Sequence, residues 1–260
     1  MQRERILGAC KGATWLPLLL LGVFLLSAWT QQPDASGMKD MPGMDHGQMK
    51  AAPGPEDPAA AAKRLADKRE SEFNHHLAGF FVILAGIFIL AEGRVAKGRP
   101  LARYAWPMCF LAAGLFVLVF SDTEIWPFGP QTPWYAITHN TEDLQHKVFA
   151  VILLAVGLVE FQRARGRWKS SWTAWFFPGV GVVGSILLLF HVHGGDMRAP
   201  HAMETMEHIQ MQHRWFAVTG LGIALADGLS KTSQKWQAMF RVTWPALLIV
   251  LGVLLVRYTE

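Results

Sequence analysis

Seven stretches of this sequence are apolar for long enough, or nearly so, to cross a hydrocarbon layer about 30 Å thick. They are Thr14–Thr30, His76–Glu92, Tyr104–Phe120, His146–Glu160, Thr173–Phe190, Trp215–Asp227 and Val242–Val256. The fifth and sixth are interrupted by Gly and Thr, which membrane helices tolerate better than soluble ones. Few polar residues break these runs, and 52% of the 260 residues are hydrophobic, so a large water-soluble core is disfavoured. The expected class is an all-α membrane protein: an N-terminal signal anchor followed by a six-helix bundle.

The net charge of +4 does not point to nucleic acid, because the basic residues are segregated along the chain. Arg94, Lys97, Arg99 and Arg103 fill one short loop; Arg163, Arg165, Arg167 and Lys169 fill another; Lys231, Lys235 and Arg241 fill a third. Arg3, Arg5 and Lys11 precede the first run. If the runs alternate in direction, all four groups share one side, which the positive-inside rule makes cytoplasmic. All ten histidines then fall on the opposite, extracytoplasmic face, with every methionine except Met1, Met108 and Met239. Cys10 and Cys109 lie in the leader and in mid-span, so no disulfide framework is on offer.

Residues 1–30 read as a signal peptide or signal anchor. Ala28-Trp29-Thr30 is a poor cleavage site and favours the uncleaved anchor. Residues 31–72 form an extracytoplasmic tether and helix, and 73–260 the membrane domain. Residues 31–57 hold Pro, Gly, Met and small polar residues with almost nothing to bury, which predicts disorder. Within them Met41-Pro-Gly-Met44-Asp45-His46-Gly-Gln-Met49 concentrates thioether and imidazole groups, which suit a soft metal ion. This stretch resembles the Met-rich, Asp-His-containing repeats of bacterial periplasmic copper-resistance proteins. Asp57-Pro58 then reads as an N-cap with proline at the first helical position, opening a helix with no breaker before Gly79.

Three spans entering from outside are alike. HKVFAVILLAVGLVE (146–160) and HRWFAVTGLGIALAD (213–227) share His-x-x-Phe-Ala-Val and end in a carboxylate, and HLAGFFVILAGIFILAE (76–92) follows the same plan. The returning spans carry Trp106-Pro107, Trp175 with Pro178, and Trp244-Pro245. Histidines recur after 70 and then 67 residues and prolines after 71 and then 67, which argues for three pseudo-repeated helical hairpins. A pseudo-threefold arrangement would bring His76, His146 and His213 to one level, a ligand count that suits Cu, Zn or Fe. At the outer ends of the returning spans, Asp122 and Glu124 match His191 and His193 in position. Glu92, Glu160 and Asp227, at the inner ends, are expected to pair with neighbouring arginines and lysines.

The densest group of candidate ligands lies between Phe190 and Phe216. Pro200 is placed to open a helix to Asp227 with Gly228 as its stop, about 42 Å at 1.5 Å per residue, so its first turns stand above the membrane. On that extension Glu204, His208 and Met211 share one face, and Met206 and His213 another. His75 and His76 lie where the second span enters the bilayer.

This plan, carried by the Met-His tether, His75-His76 and the His191-x-His193 turn, resembles the copper-resistance protein D type of bacterial inner-membrane protein. The resemblance implies copper as the bound ion, a multi-pass location in the bacterial inner (plasma) membrane, the lipid bilayer as surroundings and periplasmic copper-binding proteins as partners. Two other chemistries are open to the same histidines. They could act as axial haem ligands, or hold zinc with a carboxylate such as Glu207 as base. A structural assembly factor would use them only for stability.

Overall fold

A computed structural model describes residues 58–95, 100–126, 128–191 and 202–260. The leader, the tether, His193 and Pro200 lie outside them. Among the described residues the regular structure is helical, with no strand beyond an isolated bridge between Ile125 and Gln131. In chain order the helices are α1 (Pro58–Val95), α2 (Ala105–Phe120), α3 (Pro133–His139), α4 (Thr141–Ala164), α5 (Ser171–Ala174), α6 (Phe176–Leu189), α7 (Ala202–Thr232) and α8 (Gln237–Val256). A 3-10 turn, Pro100–Tyr104, leads into α2. Pro58–Glu92, Leu101–Phe120, Thr141–Ala164 and Gln237–Val256 are long and apolar enough to cross a membrane, and α6 is apolar but has 14 residues. Outward faces carry Phe80, Ile87, Leu115, Val151, Leu158, Leu225 and Val250 exposed, the surface expected of helices that face lipid.

Local signals explain most boundaries. Pro58 opens α1, which runs unbroken into the second apolar stretch, His76–Glu92, as the sequence predicts. Thr132 caps α3 by accepting from the Tyr135 N–H, and Asn140 caps α4 by accepting from the Glu142 N–H. Glu142 and Asp143 add negative charge to the first turn of α4, where the helix dipole favours it. Gly166 closes the other end at φ 71°, a left-handed conformation that a side chain resists.

Two boundaries depart from expectation. The run Thr173–Phe190 is broken at Trp175, which ends α5 and precedes α6. Starting at Phe176 puts Pro178 in the first turn, where its missing N–H costs no helical bond. Helix α7 passes through Gly228 and ends at Thr232. Its last turn is held by the Ser230 hydroxyl donating to the Asp227 carbonyl, by the Lys231–Asp227 ion pair and by Gln237 donating to the Ser230 carbonyl. Gly228 is a stop only where nothing rewards continuation.

Packing runs from α1 to α2, α2 to α4, α4 to α6, α6 to α7, α7 to α8 and from α8 back to α1. Neighbours are antiparallel, and three of the seams are lined with glycine. A Cβ on Gly79 would meet the Gly252 carbonyl oxygen at 2.6 Å, and one on Gly114 would meet the Leu154 nitrogen at 2.8 Å. On the α6–α7 seam a Cβ on Gly220 would strike the Ser185 hydroxyl. Backbones therefore approach closely, the main source of helix–helix attraction where the hydrophobic effect is absent. At one end Trp106, Phe177 and Trp244, from α2, α6 and α8, pack with centroids 5.3–6.4 Å apart. Phe177 holds the place that the sequence pattern gives to Trp175, which is exposed.

Gly114→Ala is expected to lower unfolding stability by roughly 1–3 kcal/mol through overpacking. Gly184→Ala, with nothing within 4 Å of the added methyl, should be neutral or gain up to about 1 kcal/mol. Thermal unfolding of the two purified variants in detergent measures the contrast.

Candidate functional site

At the end opposite the tryptophans, four imidazoles from different parts of the chain form a row. His75 is on α1, His213 on α7, His191 just past the end of α6, and His146 in the second turn of α4. Successive ring centroids are 5.8 Å (His75–His213), 4.8 Å (His213–His191) and 5.5 Å (His191–His146) apart. His213 and His191 are buried, at 2% and 6% exposure.

Each position has a structural cause. Gln145 is buried and its side-chain amide donates to the Phe190 carbonyl at 3.1 Å, which ties α4 to the turn that carries His191. Asn74 donates to the Ser121 carbonyl, and Glu70 accepts from the Thr123 N–H and hydroxyl, which sets α1 against the loop after α2. Lys147 donates to the Leu118 carbonyl at 3.1 Å and so satisfies one open carbonyl at the end of α2.

The ring nitrogens are oriented. His146 donates Nδ1–H to Asp122 Oδ1 at 2.7 Å, His213 donates Nδ1–H to the Ile209 carbonyl at 2.9 Å, and His75 donates Nδ1–H to the Ser71 carbonyl at 2.8 Å. In neutral imidazoles these bonds leave the lone pair on Nε2. Asp122 is buried and also pairs with Lys147 at 2.7 Å. Burial alone would raise its carboxyl pKa; the hydrogen bond and charge of His146, with bonds from Lys147 and Ser121, outweigh it and hold Asp122 well below the usual carboxylate range. Asp122 is therefore an anionic anchor at the His146 end of the row.

The expected residues are distributed as follows. His146, His191, His213 and His75 meet. His76 does not join them: its Nε2–H donates to the Tyr258 carbonyl at 2.9 Å, and the neighbouring His75 takes the contact with His213. The trio of His76, His146 and His213 expected from the repeat is thus replaced by a row through His75. Among the described residues, no group of three or more His, Cys, Asp or Glu could hold one metal ion, so the row offers imidazoles in pairs. Asp122 and Glu124 diverge, Asp122 to His146 and Lys147 and Glu124 to Lys63 at 3.3 Å. His208 is exposed, 3.3 Å from the Thr259 hydroxyl, Met211 is 57% exposed and Met206 is half-buried. His193, Met41, Met44, His46 and Met49 lie outside the described residues.

Of the three carboxylates expected to pair with neighbouring cations, two are seen to do so. Glu160 pairs with Arg163 at 2.6 Å and Asp227 with Lys231. Tyr258, fully buried and stacked on His75 with centroids 3.8 Å apart, was not singled out by the sequence. Its run, Arg257-Tyr258-Thr259-Glu260, has no spacing or ligand type that would mark it. No protein-family model, curated protein or solved structure matches the chain.

Asp122→Asn should cost about 3 kcal/mol, because it leaves the largely buried Lys147 without its counter-charge. Glu124→Gln, which loses only an exposed pair, should change stability by less than about 1 kcal/mol. Chemical unfolding of both variants followed by tryptophan fluorescence distinguishes the two sites.

Proposed function

We propose that this chain is an integral membrane protein that binds copper at its extracytoplasmic face, for copper resistance, uptake or handling. The observation that carries the reading is the row His75–His213–His191–His146, in which three of four rings donate Nδ1–H to a carbonyl or carboxylate. Metal-ligating histidines almost always have such a bond on the nitrogen remote from the ion, because it orients the ring and raises its basicity.

The fit to copper rests on spacing and ligand type. Two imidazoles on one ion, with metal–nitrogen bonds of about 2.0 Å and about 1.1 Å from nitrogen to centroid, have centroids roughly 6 Å apart in line and less when bent. The three separations of 4.8–5.8 Å lie in that range. Pairs suit copper(I), which accepts low coordination numbers, better than zinc, whose structural sites take four ligands. The Met-His segment 41–49 adds soft ligands of the kind copper(I) prefers.

In this reading the helices α1, α2, α4, α6, α7 and α8 form a six-helix bundle of three hairpins, held by an N-terminal signal anchor in the inner (plasma) membrane of a bacterium. The basic connections face the cytoplasm and the imidazole row faces the periplasm, where periplasmic copper-binding proteins would deliver or collect the ion. The likeness to the copper-resistance protein D type is part of this proposal.

Detergent-purified protein should carry copper by elemental analysis. His191→Ala and His213→Ala should each reduce copper content about tenfold or more, as loss of one of two ligands implies, while His139→Ala should leave it unchanged. Zinc in the preparation, or a Soret band lost in the same variants, would replace copper by zinc or haem. Copper content unaffected by either substitution would overturn the site.

A further inference from the structure

Residues 257–260 fold back over the His75 end of the row. Tyr258 has no exposed surface and stacks on the His75 ring at 3.8 Å and 20°, with its ring edge-on to His213 at 5.7 Å. Its phenolic hydroxyl donates to Glu260 Oε1 at 2.8 Å, and its carbonyl accepts from His76. The residues on either side are tied to two helices. Thr259 exchanges two bonds with the Gln212 side chain on α7, at 2.7 and 3.2 Å. Glu260 accepts from the Ser71 hydroxyl and from Lys68, and its N–H donates to Glu72 Oε1 at 3.1 Å, all on α1.

This amount of bonding is more than is needed to end a helix. The segment bridges α1 and α7, the two helices that carry His75 and His213, and it inserts one large ring beside both imidazoles. A polar strap with an aromatic wedge at this point shields the pair, leaving His213 at 2% exposure. The bonds on its flanks lie at half-buried or exposed positions, so the strap can open locally without unfolding the helices beneath it.

We propose that residues 257–260 are a strap closing the outer mouth of the imidazole row, with Tyr258 as a positioning residue that orients His75 and controls how fast an ion or reagent reaches His75 and His213. The inference takes its functional meaning from the copper reading, but the closure itself can be measured without any metal. The working contact is the ring against His75, and the hydroxyl bond to Glu260 is secondary. Phenylalanine should therefore replace Tyr258, and alanine should not.

The first measurement uses metal-free full-length protein in lipid nanodiscs, treated with diethyl pyrocarbonate and read histidine by histidine by mass spectrometry. His139, which is exposed and far along the chain from the strap, serves as the internal control. In Tyr258→Ala the labelling rate of His213 should rise about tenfold, in proportion to the open population, while Tyr258→Phe stays at the parent rate. The pair Ser71→Ala with Glu260→Gln, which loosens the strap and keeps the wedge, should give a smaller rise and carries the test if Tyr258→Ala does not fold. The second measurement loads the protein with copper(I) and follows extraction by bathocuproine disulfonate, which should accelerate in the same order. Unchanged His213 labelling in every strap variant overturns the strap. Labelling that rises as stated in a protein that binds no copper leaves the strap standing and removes the metal reading. Equal acceleration in Tyr258→Phe and Tyr258→Ala overturns the stacking role.

Discussion

Close approach of backbones at the glycine seams is the constraint on which the rest of this structure depends. Between helices that lie in hydrocarbon there is little gain from burying one apolar side chain against another, so attraction comes from contact distance. Gly79 against Gly252, Gly114 against Leu154 and Gly157 against Leu111 leave no room for a Cβ on these glycines. Such contacts set how far each helix slides along its neighbour. The sliding position in turn decides the depth at which His75, His146 and His213 sit. A shift of one turn, about 5.4 Å, would be as large as the separation between neighbouring rings.

The two ends of the molecule are held by different physics. Aromatic rings and buried ion pairs close the tryptophan end, with Glu160–Arg163 and Asp227–Lys231 each satisfied on its own helix. At the histidine end the polar bonds run between helices: Gln145 to Phe190, Asn74 to Ser121, His146 to Asp122, and Gln212 to Thr259. A ring whose Nδ1 is committed has little freedom to rotate, and that bond crosses between segments for His146 but runs to the preceding turn of the same helix for His75 and His213. Where the bond is to a buried carboxylate that is also paired with Lys147, the whole group behaves as a unit.

The difference between His75 and His76 shows how far a repeat pattern can be carried. Aligning His76 with His146 and His213 is sound as a comparison of spans, since all three open an apolar run. Adjacent residues on a helix are nevertheless about 100° apart around its axis, so the rotation of α1 decides which imidazole meets the neighbouring helix. That rotation is set by Gly79 and Gly86 against α8 and by the strap, features with no counterpart in the spacing of histidines. The same limit applies to Asp122 and Glu124, which the pattern sets together at positions matching His191 and His193 and the fold directs to different partners.

What this sequence determined unaided was its material. Apolar runs of membrane length made the chain helical, because helicity of this kind depends on composition summed over many residues. The Asp57-Pro58 signal added the start of α1, since a cap is a matter of neighbouring atoms. Only the tertiary structure decided that α7 continues past Gly228, that His75 replaces His76, and that Tyr258 covers the row. Each of those outcomes is fixed by a contact between segments far apart in the chain, and no local pattern carries the relative rotation and depth of two helices.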